Sequence, residues 1–162
     1  MKNLFLFMAI TLVGLGGCSE KRSQPLAIDN SLTQEEIAAG VLSPEVMWKM
    51  GRVGLASLSP DASRLLYTVT WYNMQENRGV TAIYVRDAAS GEVAQLTDFS
   101  SNNSDPKWNA DGSKIYFLSD LSGSSQIWEM AADGQNPRQL SKLDKDIEGC
   151  GVHPAGDKGF YV

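Results

Sequence analysis

One nonapeptide pattern recurs three times along this chain, and no other feature limits its fold so tightly. Ser59-Pro60-Asp61-Ala62-Ser63-Arg64-Leu65-Leu66-Tyr67 returns fifty residues later as Asn109-Ala110-Asp111-Gly112-Ser113-Lys114-Ile115-Tyr116-Phe117. Forty-four residues further it returns as His153-Pro154-Ala155-Gly156-Asp157-Lys158-Gly159-Phe160-Tyr161. A second pattern runs between the copies. Ile83-Tyr84-Val85, Ser90-Gly91 and Gln95-Leu96-Thr97 are matched by Ile127-Trp128-Glu129, Asp133-Gly134 and Gln139-Leu140-Ser141, at offsets of 44, 43 and 44. Self-similarity at such a period marks a repeat architecture, in which each unit is one supersecondary block stacked on the next.

The units read as β-structure. Turn formers alternate with short runs rich in aromatic and β-branched residues, and Asp111-Gly112 is a hairpin signal because glycine accepts the positive φ that such a turn needs. Leu65, Tyr67, Val69 and Trp71 alternate with Leu66, Thr68, Thr70 and Tyr72. Both sets are bulky, as a strand covered on both faces requires. Four short strands in ~40–45 residues is the size of one propeller blade. The expected fold is therefore all-β, the first two to three blades of a β-propeller, with a β-sandwich as the alternative. From Val53 to Val162 the 44-residue period fits two and a half times, whereas closed propellers usually have four to eight blades. The expectation is the N-terminal part of a longer protein, ending in mid-strand; the competing one is a short protein that closes by oligomerising.

Ahead of the repeats lie two short helical turns. Thr33-Gln34-Glu35-Glu36 has the pattern of a capping box, with Gly40 as its stop. Ser43-Pro44-Glu45 opens a second helix, with proline at the first turn, Val46, Met47 and Met50 on one face, and Gly51 as the expected end. The helices are expected to pack on the edge of the repeats.

The first eighteen residues read as an export signal. Met1-Lys2-Asn3 is a positive start, Leu4 to Val13 an apolar run, and Leu15-Gly16-Gly17-Cys18 its end. The run is about half the ~20 residues needed to span a bilayer. Small residues before a cysteine resemble the bacterial lipobox, which implies cleavage before Cys18 and lipid on its thiol; the alternative is an ordinary secretory signal with Cys18 incidental. Ser19 in place of aspartate tilts the expected destination to the outer membrane, facing the periplasm or the cell surface. The expected organisation is 1–17 signal peptide, 18–30 flexible tether, 31–52 short helices and 53–162 partial propeller.

Composition narrows the function classes. With 43% hydrophobic and 20% charged residues, the chain is ordinary globular material. Fourteen Lys+Arg against nineteen Asp+Glu give a net charge of −5, with no basic cluster, which argues against nucleic acid as a partner. One histidine cannot build a multi-histidine metal site. With Cys18 used by the anchor, Cys150 stands alone and reads as a small buried hydrophobe, since Glu148 beside it opposes a reactive thiolate.

The segment Leu42-Ser43-Pro44-Glu45-Val46-Met47-Trp48-Lys49-Met50-Gly51-Arg52-Val53, followed by Leu58-Ser59-Pro60-Asp61, resembles the start of the propeller in prolyl oligopeptidase family serine peptidases. The closest subgroup is that of bacterial secreted dipeptidyl-peptidases and acylaminoacyl-peptidases. Asp105-Pro106-Lys107-Trp108-Asn109-Ala110-Asp111-Gly112, Phe117-Leu118-Ser119-Asp120 and Gln126-Ile127-Trp128 fit the same blade pattern, and the resemblance covers roughly residues 41–162. The blade motif is shared with the Tol-system periplasmic propeller protein; Pro44 to Arg52 tips the balance to the peptidases. Ala62, Asn109-Ala110 and His153-Pro154-Ala155 depart from the Ser-Pro-Asp-Gly turn. The resemblance implies a C-terminal α/β-hydrolase domain with a serine on a Gly-x-Ser-x-Gly elbow, an aspartate and a histidine, short peptides as substrates, and a propeller that gates their entry. No elbow occurs in 1–162. Gly112-Ser113-Lys114 and Gly123-Ser124-Ser125 lack its second glycine. No catalytic residue is therefore assigned here, no substrate-binding residue is identified, and no cofactor is implied.

The remaining candidates read as structure. His153 aligns with turn formers. Asp98, Ser100 and Asn102 are spaced like the first ligands of a calcium loop, but Asn103 and Asn109 stand where glycine and glutamate are needed, so the expectation is a solvated loop and no metal. Glu76-Asn77-Arg78-Gly79 is expected at a hairpin tip rather than on a channel wall. Trp48, Trp71, Trp108 and Trp128 fall at blade-like positions and are expected in packing.

Overall fold

The computed structural model describes residues 25–153 and 159–162. The signal peptide, Cys18 and most of the tether lie outside them, as do Pro154 to Lys158 of the third repeat.

The helices form where their caps dictate. In α1 (Gln34–Ala39), Glu36 N–H donates to Thr33 Oγ1 at 3.2 Å and Thr33 N–H to Glu36 Oε2 at 2.7 Å, so two otherwise unpaired donors satisfy each other's residues. Gly40, at φ 59, ends it. In α2 (Pro44–Trp48), Val46 N–H donates to Ser43 Oγ at 3.3 Å. Here the expected terminator is corrected: the C-cap is Lys49, in ordinary helical conformation. Gly51 serves a different need. A Cβ there would stand 2.6 Å from Val69 Cγ1 and 2.8 Å from the Trp71 ring, so only glycine lets the chain pass this close as it enters the first strand. Only α2 buries a side chain, Val46, and its Trp48 ring meets Tyr72 edge-on at 5.1 Å. α1 buries none.

The repeat becomes sheet by sheet. The first antiparallel sheet takes β1 (Arg52–Leu58), β2 (Arg64–Asn73), β3 (Arg78–Asp87) and β4 (Val93–Gln95), in that order. The second takes β5 (Asn103–Trp108), β6 (Lys114–Ser119), β7 (Gln126–Ala131) and β8 (Arg138–Gln139). A pair follows, β9 (Cys150–Val152) with β10 (Gly159–Tyr161). Strand β2 has no exposed residue, as its doubly bulky alternation requires. The nonapeptide is the β1–β2 turn and the β5–β6 turn. Ala62 N–H donates to Ser59 O at 2.8 Å, and Gly112 N–H to Asn109 O at 3.2 Å. The second pattern closes each sheet in one way: Ile83 N–H donates to Thr97 Oγ1 at 2.9 Å, and Ile127 N–H to Ser141 Oγ at 2.8 Å.

The core lies between sheets rather than within one. Leu66 and Ile83 of the first sheet cluster with Ile115, Phe117 and Met130 of the second, with Trp108 and Trp128 packed against them. Leu118, Ile147 and Cys150 form the next layer, with Ile127 against it. Each such side chain contributes roughly 1.5–3 kcal/mol on burial. Stacked antiparallel sheets with apolar layers between them are successive blades of a propeller.

Candidate functional site

Two concavities bring charged, polar and aromatic side chains together. The larger, about 560 Å³, lies where Ala27–Asp29, the helix α2 and the end of the β2–β3 hairpin meet. Its wall is aromatic: Trp48 and Tyr72 flank the Arg52 guanidinium, whose carbon lies 4.6 Å from one ring centroid and 4.4 Å from the other. Cations over ring faces are held by the ring quadrupole. Lys49 Nζ is tied down, donating to Glu36 Oε2 and to Ser31 O, both at 3.0 Å. The rim carries ionised carboxylates. Hydrogen bonds from Ser31 hold Asp29 below the usual carboxylate range, and bonds from its own backbone and Ser43 do the same for Glu45.

The smaller depression, about 320 Å³, sits at the ends of the first strands of the three sheets. Ser57 and Leu58 of β1, Lys107 and Trp108 of β5 and His153 just after β9 line it. Ser57 Oγ and Trp108 Nε1 are enclosed without a protein partner. Beside it lies a cross-link that spacing did not reveal. Lys107 Nζ donates to both Asp105 oxygens at 2.7 Å and to the carbonyl of Cys150, while Cys150 N–H donates to Asp105 Oδ2 at 2.9 Å. Asp105 sits at φ 49, in the register shift between Ser104 and Lys107. The bulge turns its carboxylate from β5 to the neighbouring strand pair. A bulge residue with positive φ leaves little trace in sequence, and its partner lies 45 residues away.

The residues singled out by sequence take the following places. Cys150 is 6% exposed, and its thiol is pushed up to about 11, first by burial and then by the Asp105 charge. It stays protonated at neutral pH, as a packing residue does. The oxygens of the suspected calcium loop are engaged within the protein. Asp98 accepts from the Ser100 N–H at 3.0 Å and from its hydroxyl, and Asn102 Oδ1 accepts from Thr81 N–H at 3.2 Å. Asn102 in turn donates to both oxygens of Asp120, at 2.8 and 3.0 Å. Glu76 and Asn77 form the β2–β3 hairpin tip, with Asn77 at φ 49, and Arg78 and Gly79 begin β3. Trp71 donates its Nε1–H to Tyr84 Oη at 3.2 Å. The blade pattern Gln126-Ile127-Trp128 gives no sign of the role Gln126 plays. It is 1% exposed, and its amide holds the chain after the second sheet, donating to Leu143 O and Lys145 O and accepting from Leu143 N–H and Ser141 Oγ.

This arrangement presents surfaces and holds blades together.

The chain is 31% identical over 135 residues to dipeptidyl-peptidase 5 of Porphyromonas endodontalis, covering 83% of this chain and 19% of that protein. The chain thus spans about a fifth of its relative's length. It is similar to the structure of a putative TolB from Agrobacterium tumefaciens, with TM-score 0.55 and 28% identity, over 67% of this chain and 38% of the other. It shares its fold with the acylaminoacyl peptidase of Pyrococcus horikoshii, with TM-score 0.57 and 17% identity, over 68% of this chain and 17% of the other. Residues 33–162 match the family described as TolB beta propeller domain, four-fifths of the chain from the capping box of α1 onward, and on the strength of that match and the stacked sheets the chain belongs to this family.

Proposed function

We propose that this polypeptide is the N-terminal propeller portion of an exported serine peptidase that cleaves short peptides in the dipeptidyl- or acylaminoacyl-peptidase manner. The observation that carries the reading is the 31% identity to a dipeptidyl-peptidase over 83% of the chain, against 19% of that enzyme's length. The hydrolytic groups belong to a C-terminal α/β-hydrolase domain. There a histidine takes the proton of the serine hydroxyl as it attacks the peptide carbonyl, and an aspartate orients that histidine. The propeller's part is steric: stacked blades wall the approach to the serine and admit only narrow, unfolded peptides. The protein is exported, and lipid on Cys18 holds it at the envelope.

The test is direct. The full-length protein reacts with a serine-directed fluorophosphonate, and replacing the elbow serine by alanine abolishes both labelling and release of dipeptides from a peptide substrate. A second reading, a non-enzymatic protein-binding propeller, is favoured by the 28% identity to the Agrobacterium TolB over 67% of the chain. Under that reading the full-length protein stays unlabelled. Cys18 is tested separately: a Cys18→Ala variant fails to incorporate labelled palmitate and leaves the membrane fraction.

A further inference from the structure

A third cavity, about 190 Å³, lies between the first two sheets, where the chain leaving β4 runs along the β6–β7 face. Both walls belong to the described sheets and to the segment that joins them. The sheets meet at its edge, where Gly134 passes so close to Leu96 that a Cβ would stand 3.1 Å from Leu96 O. The lining is of two kinds. Leu96, Phe117, Trp128 and Met130 belong to the apolar layer between the sheets. Ser101, Asn103 and Ser119 form a hydrogen-bonded cluster, with Asp98 nearby.

The polar cluster is buried, with Asn103 and Ser119 each 2% exposed and Ser101 8%. Its hydroxyl protons are spent in one direction. Asn103 Nδ2–H donates to Ser101 O at 2.9 Å, and a carbonyl can only accept, so the amide oxygen faces the hydroxyls. Ser101 Oγ–H therefore donates to Asn103 Oδ1 at 3.4 Å, and Ser119 Oγ–H donates to Ser101 Oγ at 3.3 Å. Ser119 Oγ accepts from Leu121 N–H, also at 3.3 Å. Each hydroxyl has given its single proton away and retains a lone pair. The three bonds to these oxygens are long, so the cluster has acceptor capacity to spare. Asp98 is the only charged residue lining the cavity among the described residues. It is exposed, at the mouth, and both bonds it accepts, from the N–H and the hydroxyl of Ser100, go to Oδ1. Oδ2 is left to a ligand.

We propose that this cavity between the blades binds a small primary amine with an aromatic body. An ammonium group carries three donors and no acceptor. It complements hydroxyl and amide lone pairs with a carboxylate at their mouth and no cation beside them. The body packs on Phe117, Met130, Leu96 and Trp128. A single ring fits the room, since an apolar cavity of about 150 Å³ holds one benzene. A ring also suits Trp128, whose Nε1 is enclosed without a protein partner. The face of a ring is a weak acceptor for an N–H, and an alkyl chain is none. The site is independent of the peptidase reading put forward above.

The test uses the full-length protein with isotope-labelled methionine methyls, the Met130 signal being assigned by its loss in Met130→Leu. Benzylamine, benzyl alcohol and benzoate share one ring and differ in the head group. At neutral pH benzylamine is expected to shift the Met130 methyl saturably. Benzyl alcohol is expected to do so with about fivefold weaker affinity, and benzoate to leave the signal in place. Asp98→Asn keeps the side chain's shape and one acceptor oxygen. It is expected to bring benzylamine down to the affinity of benzyl alcohol, with benzyl alcohol itself unchanged. Raising the ionic strength tests the charge without a substitution: benzylamine weakens and benzyl alcohol does not. A Met130 signal that moves with none of the three compounds means that the cavity holds water only, and overturns the proposal. So does benzoate binding as well as benzylamine, and so does a preference for benzylamine that survives both Asp98→Asn and added salt.

Discussion

Ala62 occupies a backbone position that glycine fills in the next repeat. Its φ is 58, and that of Gly112 is 73. A residue with a Cβ crowds the following carbonyl in this region, at a cost of roughly 1–2 kcal/mol. Glycine removes the crowding but gives the unfolded chain more freedom, roughly 0.4–1 kcal/mol in the opposite direction. Ala62→Gly is therefore expected to stabilise the protein by up to about 1 kcal/mol, read as a raised denaturant midpoint with unchanged slope. The neighbouring Asp61 gives the turn a pH dependence. Its carboxylate accepts from the hydroxyls of Ser59 and Ser63, at 2.5 and 2.8 Å, and from Ser63 N–H at 3.1 Å, and these bonds lower its pKa from 3.8 to about 2. A depressed carboxyl pKa means that the unfolded chain binds the proton more readily. The turn's contribution is thus whole above pH 3.8 and is lost as pH falls towards 2. A melting series from neutral pH downward is expected to show a decline in that window that is smaller in Asp61→Asn.

The elements divide into those that local chemistry specifies and those that distant partners specify. The capping box of α1, the proline start of α2 and the turns at Ala62 and Gly112 were legible because each is closed by residues within a few positions. So was β2, whose alternation from Leu65 to Tyr72 is bulky on both faces. The end of α2 was misread at Gly51, whose role is set by Val69 and Trp71 across the sheet. The link between the second sheet and the following strand pair was not legible at all. Asp105 gains its role from a bulge, and its bond to Cys150 N–H forms only once β9 is in place. Replacing Asp105 by alanine leaves that N–H without its acceptor and the Lys107 ammonium with only the Cys150 carbonyl. A loss of about 1–3 kcal/mol is expected in chemical denaturation. Asp105→Asn is expected to cost less, because asparagine tolerates positive φ and keeps one acceptor oxygen. Equal losses in the two variants would show that the carboxylate's second oxygen, not the N–H contact, sets the joint.

At the scale of the whole molecule, stability passes from sheet to sheet through apolar layers, each blade meeting only its neighbours. Such a stack is open at its two outer surfaces. Val53 and Leu58 of β1 are 71% and 58% exposed, and Tyr161 and Val162 at the other end 57% and 78%. Water meets apolar side chains there that inner blades bury, and unpaired strand edges there can accept another chain. Residues 25–162 expressed alone are therefore expected to self-associate, forming species larger than a monomer in sedimentation at micromolar concentration. Charge substitutions at exposed ends, such as Val53→Lys with Tyr161→Lys, are expected to shift the population towards monomer without changing the far-ultraviolet β-signature. In the full-length protein the same substitutions are expected to destabilise instead if, as proposed above, the chain is part of a larger propeller whose further blades cover both surfaces. The opposite pair of results, a monomeric isolated segment with one cooperative unfolding transition and a full-length protein indifferent to both lysines, would mean that these two surfaces face water in the native protein. The blades described here would then form a finished stack rather than an arc of a larger ring.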